Sequence, residues 1–233
     1  MNNSNFKKLW DHHEIGELNT NFFIFGDKKN AIIIDPGGVE AVRIAKELLR
    51  KEIEVKHVLV THGHFDHLGW AWEVQKVCEG AKVYLHEGEK ISYEPFLDRL
   101  KNVDIRIPDV WIKDEQVLQL GGYKMRVIHT PGHSPGSVTY NLMEIPDIHN
   151  DDDLNKLILN SAFVGDCIFK GSIGRVDLPF SNPKHMVGSL KKLIKTIDKK
   201  TKLYPGHGEF TTMGYELINN PYLLALKKGI DFF

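Results

Sequence analysis

The sequence predicts an α/β fold, in which β-strands alternate with amphipathic helices along most of the chain. Runs of β-branched and aromatic residues recur and end at glycine, proline or aspartate, a pattern typical of buried strands. Between them, stretches such as residues 39–50 repeat apolar residues at helical spacing. The 233 residues are enough for one large domain with a sizeable core.

Composition and charge narrow the functional classes. The 42% hydrophobic and 26% charged residues are typical of an ordinary globular protein. A formal net charge of −1 argues against a nucleic-acid partner or a membrane surface. No apolar run could span a bilayer and no signal core precedes the first strand, so we expect a cytoplasmic protein. Two cysteines, Cys78 and Cys167, have no paired spacing that would predict disulfides.

The first half of the chain reads as a strand pair followed by alternating helices and strands. Strands are predicted at 21–25, 31–34, 55–60 and 81–86, and helices at 39–50 and 68–79. Trp70 is either a core aromatic residue or a wall of the site. His86 ends its strand without a partner at metal-ligand spacing, so we interpret it as structural.

A glycine pair marks the start of the second half. Gly121 and Gly122 separate two strands, which is a strong hairpin signal. Strands are predicted at 117–120, 123–129, 137–142 and 202–204, a strand pair at 157–166, and helices at 183–199, 211–218 and 221–228. Residues 91–111 have no clean periodicity and form either a flap or a surface loop. The acidic stretch 144–156 is predicted as a solvated loop.

Four side chains that can bind a metal ion follow the strand at 55–60 in quick succession. They are His62, His64, Asp66 and His67. Because side chains alternate along an extended segment, His62 and His64 point to the same side and can share one cation. Asp66 and His67 diverge, which favours a second cation beside the first. The alternative is a polar loop whose histidines cap the strand.

Three more candidate ligands stand at the ends of predicted strands. His133 and His207 each lie in a turn rich in proline and glycine, and Asp166 follows Gly165. Such rigid turns favour metal ligands, since coordination geometry must be preorganised. His129, just before one of these turns, is predicted to face the core or to support the ligands from behind. Imidazoles and carboxylates together suit zinc, iron or manganese.

Two further residues are candidates on weaker signals. Asp35 ends the strand at 31–34, where a carboxylate alone is more typical of a turn cap. Arg175 lies in the glycine-rich stretch 171–177, which could cradle an anionic group but lacks the phosphate-loop pattern. Cys167 is predicted to face the core, away from Asp166.

The order of these motifs resembles the metallo-β-lactamase superfamily and, within it, the glyoxalase II-like hydrolases. The resemblance rests on Ile34-Asp35-Pro36-Gly37, Thr61-His62-Gly63-His64-Phe65-Asp66-His67, Thr130-Pro131-Gly132-His133-Ser134-Pro135-Gly136-Ser137, Gly165-Asp166, Gly171-Ser172-Ile173-Gly174-Arg175, Tyr204-Pro205-Gly206-His207-Gly208 and Thr211-Thr212-Met213-Gly214. It implies a four-layer αββα sandwich with the site at one edge of two sheets. We expect residues 1–233 to form a single domain whose two αβ halves divide near residue 115.

The same resemblance implies two divalent metal ions, with zinc expected first and iron or manganese as alternatives. One ion would be held by His62, His64 and His133. The other would be held by Asp66, His67 and His207. Asp166 would bridge both ions, and Asp35 would support the metal loop from behind.

The implied activity is hydrolysis of a small-molecule thioester of the hydroxyacyl-glutathione type, S-lactoylglutathione to lactate and glutathione. A hydroxide shared by the two metals would attack the carbonyl carbon, with Asp66 as the catalytic residue that orients it. Arg175 falls where related enzymes bind substrate. Only residues 208–233 follow the last ligand, too few for the C-terminal helical region of two-domain glyoxalase II enzymes, so we expect no additional C-terminal substrate domain and leave glutathione recognition open.

Several other activities fit parts of the pattern. Hydrolysis of another ester, a lactone or a phosphodiester would use the same seven ligands. An iron persulfide dioxygenase fills only one metal site, and an antibiotic-degrading lactamase is expected to carry a signal peptide and a different second site. A nuclease should be more basic, and a structural zinc site is normally closed by four ligands. The oligomeric state stays open.

Overall fold

A computed structural model describes residues 9–92, 106–144 and 160–230. Its strands are β1 (Leu9–Ile15), β2 (Thr20–Gly26), β3 (Ala31–Ile34), β4 (Val55–Leu59), β5 (Lys82–His86), β6 (Val110–Ile112), β7 (Val117–Leu120), β8 (Tyr123–His129), β9 (Val138–Glu144), β10 (Ser161–Gly165), β11 (Ile168–Phe169), β12 (Ser172–Ile173), β13 (Lys202–Pro205) and β14 (Thr211–Thr212). They form two large sheets of six strands each, in the orders β1-β2-β3-β4-β5-β6 and β14-β13-β10-β9-β8-β7, and β11 pairs with β12.

Six α-helices cover the outer faces of the sheets within the described ranges. They are α1 (Glu40–Arg50), α2 (Phe65–Leu68), α3 (Ala71–Val77), α4 (Pro183–Thr196), α5 (Met213–Asn219) and α6 (Pro221–Lys227). None of the helices in these ranges is long and apolar enough to cross a membrane.

Strand pairing changes from antiparallel to parallel across the first sheet. The pairs β1–β2 and β2–β3 are antiparallel, whereas β3–β4, β4–β5 and β5–β6 are parallel. In the second sheet β10 and β13 are parallel neighbours. Parallel neighbours bring their carboxyl ends to the same edge of a sheet, and the candidate ligands after β4, β10 and β13 follow such ends. His133 instead follows β8, whose two neighbours are antiparallel to it.

The core explains the four layers. Alternate residues of β2 face opposite sides: Phe22 and Ile24 pack with α1 and α3, whereas Phe23 and Phe25 pack against the second sheet. A strand buried on both faces reads as a continuous apolar run, as β2 and β3 do. The other face of the second sheet packs on α4, α5 and α6. The predicted α/β class and αββα layering are confirmed.

Some element boundaries differ from those predicted. The helix expected over 68–79 is two helices, because the chain bends at Gly69 and Trp70 between α2 and α3. Trp72, rather than Trp70, is the fully buried aromatic residue there.

Five strands were not predicted. They are the edge strand β1, the short β6 at the end of the unassigned stretch 91–111, β11 and β12 beside and within the glycine-rich stretch, and β14, whose two residues were expected to begin a helix. The helix expected over 183–199 ends earlier, at Thr196. Residues 93–105 and 145–159 lie outside the described residues. They include most of the unassigned stretch 91–111, most of the solvated loop predicted at 144–156 and the start of the strand pair expected at 157–166.

Candidate metal centre

The candidate ligands meet where the carboxyl ends of strands from both sheets come together. The loop after β4 is tied to β9, since the amide of Val138 donates to the carbonyl of Thr61 (2.9 Å). The turn after β13 is tied to β10 and β2, through Gly206 N to Gly165 O (2.9 Å) and Asn21 N to Gly206 O (2.7 Å). These hydrogen bonds hold the loop after β4, the end of β10 and the turn after β13 side by side, so residues far apart in sequence share one site.

His62, His64 and His133 form a first cluster. The Nε2 of His62 lies 3.0 Å from the Nδ1 of His64. The ring of His133 stands nearly perpendicular to both, with centroids 4.9 Å from His62 and 4.5 Å from His64. One ring nitrogen of each residue lies within 4.8 Å of the others, so a single cation could be bound by all three.

Asp66, His67 and His207 form a second cluster beside the first. The Oδ2 of Asp66 lies 3.1 Å from the Nε2 of His207 and 3.3 Å from that of His67. The two imidazole Nε2 atoms are 3.3 Å apart. Thr20 in β2 donates its hydroxyl to the same Asp66 oxygen (3.2 Å). Sequence reasoning did not identify Thr20, because only the pairing of β2 in the sheet brings it to a residue 46 positions away.

Asp166 stands between the two clusters. Its carboxylate oxygens lie 3.4 Å from His133 Nε2, 3.5 Å from His67 Nε2 and 3.6 Å from His207 Nε2. A Cβ on Gly206 would lie 2.2 Å from Asp166 Oδ1, so only glycine lets the turn after β13 approach this carboxylate. Asp166 is therefore the candidate ligand that both clusters share.

Hydrogen bonds at Nδ1 orient most of these imidazoles. His133 donates from Nδ1 to the carbonyl of Arg175 (2.9 Å), and His207 donates to the carbonyl of Leu18 (3.1 Å). His62 Nδ1 lies 3.1 Å from the Thr61 hydroxyl. Each of these contacts leaves Nε2 facing the cluster, the arrangement typical of metal-binding histidines.

Asp35 holds the metal loop from behind. Its carboxylate accepts hydrogen bonds from the amide and the hydroxyl of Thr61 (both 2.7 Å) and from Nδ1 of His67 (2.9 Å). The residue is 2% exposed and has a φ of +55°, a conformation that aspartate tolerates better than most residues. The structure thus places Asp35 where a supporting carboxylate was predicted.

The donor set fits a pair of metal ions. His133 Nε2 and Asp166 Oδ1 are buried and have no hydrogen-bond partner among the described residues. Burial and then the charges of neighbouring imidazoles lower the pKa of His62 and of His64, that of His64 to about 3. Neutral imidazoles whose lone pairs face one another lack the hydrogen bonds that buried polar groups normally make, and a cation would satisfy them.

The charge around the second cluster leads to the same conclusion. Burial alone would lower the pKa of His67, but Asp66, Asp166 and Asp35 together raise it well above its ordinary value. Burial would likewise raise the pKa of Asp66, yet His67 and His207 lower it. Three carboxylates around one imidazole favour positive charge at this position, which a divalent cation would supply.

The remaining predicted residues lie at the margin of the centre. The Arg175 guanidinium is exposed and binds Asp177 through two hydrogen bonds (2.7 and 2.8 Å), so only its backbone carbonyl reaches the centre. In the glycine-rich loop, the amide of Gly171 already donates to Glu216. Cys167 is fully buried, as expected for a small core residue.

Comparison with known proteins places this centre in a family. Residues 15–144 match the model of the metallo-beta-lactamase superfamily. The chain is 32% identical to hydroxyacylglutathione hydrolase GloC of Haemophilus influenzae, over 86% of this chain and 90% of that protein.

Two solved structures have similar folds. The crystal structure of the BLEG-1 B3 metallo-beta-lactamase is 32% identical with a TM-score of 0.76, covering 92% of this chain and 99% of that one. The structure of TTHA1623 in a di-iron-bound form is 30% identical with a TM-score of 0.71, covering 91% and 100%. The fold implies a dinuclear site built from histidines and aspartates, whatever the metal. The resemblance seen in the motifs is thus confirmed, and the chain belongs to the metallo-β-lactamase superfamily.

Proposed function

We propose that the protein is a dinuclear metal-dependent hydrolase that cleaves a thioester of the hydroxyacyl-glutathione type. The observation that carries the proposal is the position of Asp166, within 3.6 Å of imidazoles from both clusters. A carboxylate shared in this way suits two cations that act on one substrate carbonyl. The similarity to GloC, which extends over 90% of that protein, supports the thioester as substrate.

The proposed ligands divide as the clusters do. His62, His64 and His133 would hold one ion; Asp66, His67 and His207 would hold the other; and Asp166 would contact both. Such a pair of divalent ions supplies Lewis acidity and lowers the pKa of bound water towards neutrality. Zinc is our first expectation, with iron or manganese as alternatives, and the di-iron form of TTHA1623 supports including iron.

Asp66 has the proposed catalytic role. Thr20 and His207 already approach its Oδ2, so we assign the orientation of the attacking water to hydrogen bonding at Oδ1. In the net reaction the water oxygen bonds to the carbonyl carbon and the C–S bond breaks, giving a carboxylic acid and a thiol.

The leaving group favours a thioester over an amide. A thiol has a pKa near 8.5, so a thiolate leaves without prior protonation. An amide or β-lactam nitrogen must gain a proton as it leaves, and none of the groups described around the two clusters is a spare acid. The proposal therefore requires only the residues that the centre already contains.

Hydrolysis of β-lactams is the second candidate. The chain is as similar to the BLEG-1 B3 metallo-beta-lactamase, at 32% identity, as it is to GloC. Identity alone therefore does not choose between the two substrates, and both belong in the test.

The test compares substrates on protein loaded with zinc, iron or manganese. S-lactoylglutathione, a non-glutathione acyl thioester, a lactone and a chromogenic β-lactam are assayed side by side for kcat/KM. We expect the glutathione thioester to exceed the lactone and the β-lactam by at least about tenfold. A β-lactam or lactone that is cleaved fastest would contradict the thioester assignment.

An Asp166→Ala variant tests the centre itself. We expect it to lose bound metal and activity together, because the ligand common to both clusters is removed. Asp198→Asn is the matched control, since Asp198 is an exposed carboxylate that accepts from the amide of Lys200 (2.8 Å). Asp166→Ala protein that keeps both metals at full stoichiometry would refute the ligand assignment.

Two other expectations accompany this proposal. We propose that the chain acts as one domain, since β6 and β7, which belong to different sheets, share a core through Ile112 and Leu118. We also propose a cytoplasmic location, with which the free, buried Cys78 and Cys167 are compatible.

A further inference from the structure

A buried carboxylate lies behind the first cluster, on an element that carries none of the candidate ligands. Glu89 ends a short 3-10 helix, Glu87–Glu89, that follows β5. The residue is only 1% exposed. A buried carboxylate is costly unless it is paired or hydrogen-bonded, so its contacts indicate what it does.

One oxygen of Glu89 binds the loop that carries His133. Oε1 accepts hydrogen bonds from the hydroxyl of Ser134 (2.5 Å) and the amide of Gly136 (3.0 Å). The Ser134 hydroxyl is also 2.7 Å from that of Ser137, which links both ends of the turn to the same carboxylate. The carboxylate thus holds the residue next to a candidate ligand.

The other oxygen faces the loop that carries His62 and His64. A Cβ on Gly63, the residue between these two histidines, would lie 2.8 Å from Oε2 and 3.1 Å from Cδ of Glu89. The backbone of the metal loop therefore packs directly on the carboxylate. Ser92 donates its hydroxyl to Oε2 (2.5 Å) and fixes the carboxylate from the far side.

Glu89 and Asp35 support the centre in different ways. Asp35 binds the candidate ligand His67 directly and holds Thr61, which precedes His62 at the start of the metal loop. Glu89 instead joins the Gly63 backbone to Ser134 and Gly136. Carboxylates behind metal ligands orient those ligands and tune their affinity.

We propose that Glu89 is a positioning residue that sets the affinity of the metal position formed by His62, His64 and His133. It keeps the two loops at the separation at which three imidazoles reach one ion. This inference rests on the proposed function, because it takes the ligand assignment from there. The metal position formed by Asp66, His67 and His207 does not depend on Glu89.

The experiment measures metal binding by competition with a chelator, resolved into two equivalents. We expect Glu89→Ala to bind one equivalent about 10–100-fold more weakly and to keep the other within about threefold. We expect Glu89→Gln to recover most of the lost affinity, because its amide oxygen can still accept from Ser134 and Gly136. If Glu89→Gln bound this equivalent as weakly as Glu89→Ala, the charge of Glu89 and not its positioning of the loops would account for the affinity, and the proposal would be overturned.

Glu216→Ala is the matched control for the loss of a buried glutamate. Glu216 is fully buried and accepts from the hydroxyl of Thr211 (2.5 Å), the amide of Gly171 (2.9 Å) and the side chain of Asn220 (2.8 Å). We expect it to be destabilised yet to bind both equivalents as the wild type does. A Glu216→Ala variant that loses the same equivalent would overturn the specific role of Glu89.

Two outcomes separate this inference from the proposed function. If the wild-type protein binds fewer than two equivalents of metal, the ligand assignment itself is refuted. Wild type with two equivalents and Glu89→Ala with the same two affinities would remove only the role of Glu89. If Glu89→Ala does not fold, Ser92→Ala serves instead, since it removes the donor to Oε2, and we expect about a threefold to tenfold loss at the same equivalent.

Discussion

Backbone carbonyls orient two of the candidate ligands. Arg175 and Leu18 accept the Nδ1 hydrogens of His133 and His207 through main-chain oxygens. A main-chain acceptor remains when the side chain is replaced. The side chain of Arg175 can therefore be changed without removing the support of His133, which separates a role in substrate binding from a role in metal binding.

That separation gives a test of Arg175 as a substrate-binding residue. We expect Arg175→Ala to raise KM for an acidic thioester about tenfold with little change in kcat, because a charge-assisted hydrogen bond to a substrate carboxylate is lost. The measurement is steady-state kinetics with bound metal quantified in parallel. An unchanged KM would remove Arg175 from the substrate site.

Asp177→Ala tests the same residue in the opposite direction, because it removes the partner of Arg175 and not Arg175 itself. Asp177 occupies the guanidinium with two hydrogen bonds, so its removal frees Arg175 to bind an anion. We expect KM to fall or stay level in this variant, and both variants to keep full metal content. A rise in KM in both variants would indicate a disturbed loop instead of a lost contact.

At the scale of elements, the residues that cap the helices of the second half differ in how many other hydrogen bonds they make. Asn220 is fully buried and caps α6, accepting from the amides of Tyr222 (3.1 Å) and Leu223 (3.4 Å). Its side-chain amide donates to the carbonyl of Ser172 (2.9 Å) and to Glu216 (2.8 Å). One side chain thus caps a helix and anchors the small β11–β12 sheet.

Asn220→Ala should therefore destabilise the protein more than the loss of an ordinary helix cap does. We expect it to lower the free energy of unfolding by about 2–4 kcal/mol, because it removes the cap and leaves buried polar groups unpaired. Asn182→Ala at the start of α4 is the comparison, since that cap accepts only from the amide of His185 (3.1 Å), and we expect about 1 kcal/mol. Urea unfolding measures both; equal losses would show that the buried contacts of Asn220 contribute nothing.

Local sequence signals were sufficient to predict the elements that have a strong hydrophobic periodicity or a clear glycine turn beside them. The helical spacing of residues 39–50 and the glycine pair before Tyr123 predicted α1 and the β7–β8 hairpin, both confirmed. The edge strand β1 was missed because its residues are mostly polar and only pairing with β2 makes them a strand. The bend between α2 and α3 was missed because the helical period continues across Gly69.

At the scale of the whole molecule, spacing predicts candidate ligands but not what holds them. Four candidates follow one strand, and the structure brings all seven together as predicted, although their role as metal ligands stays a proposal. Thr20 and Glu89 lie on other elements and belong to no motif. Their contacts depend on how two sheets and several loops converge, which no local pattern encodes.

The pH dependence of stability offers a test on the folded molecule as a whole. His86, at the end of β5, stacks on His129 with ring centroids 4.0 Å apart and is only 4% exposed. Burial, and then the charge of His129, lower the pKa of His86 from 6.5 to about 4. The folded protein therefore keeps this imidazole neutral at pH values where the unfolded chain binds a proton.

Stability should fall as pH falls through that window. Above pH 6.5 neither state protonates His86, so it contributes no slope; between pH 6.5 and about 4 the unfolded state binds one proton more, which lowers the free energy of unfolding. His86→Asn keeps an acceptor for the amide of Gly88 but removes this titration. With metal chelated in both proteins, we expect the variant to have the shallower slope in urea unfolding, by up to about 1.4 kcal/mol per pH unit, the value for one proton. Identical slopes in wild type and variant would show that His86 is not held neutral in the fold.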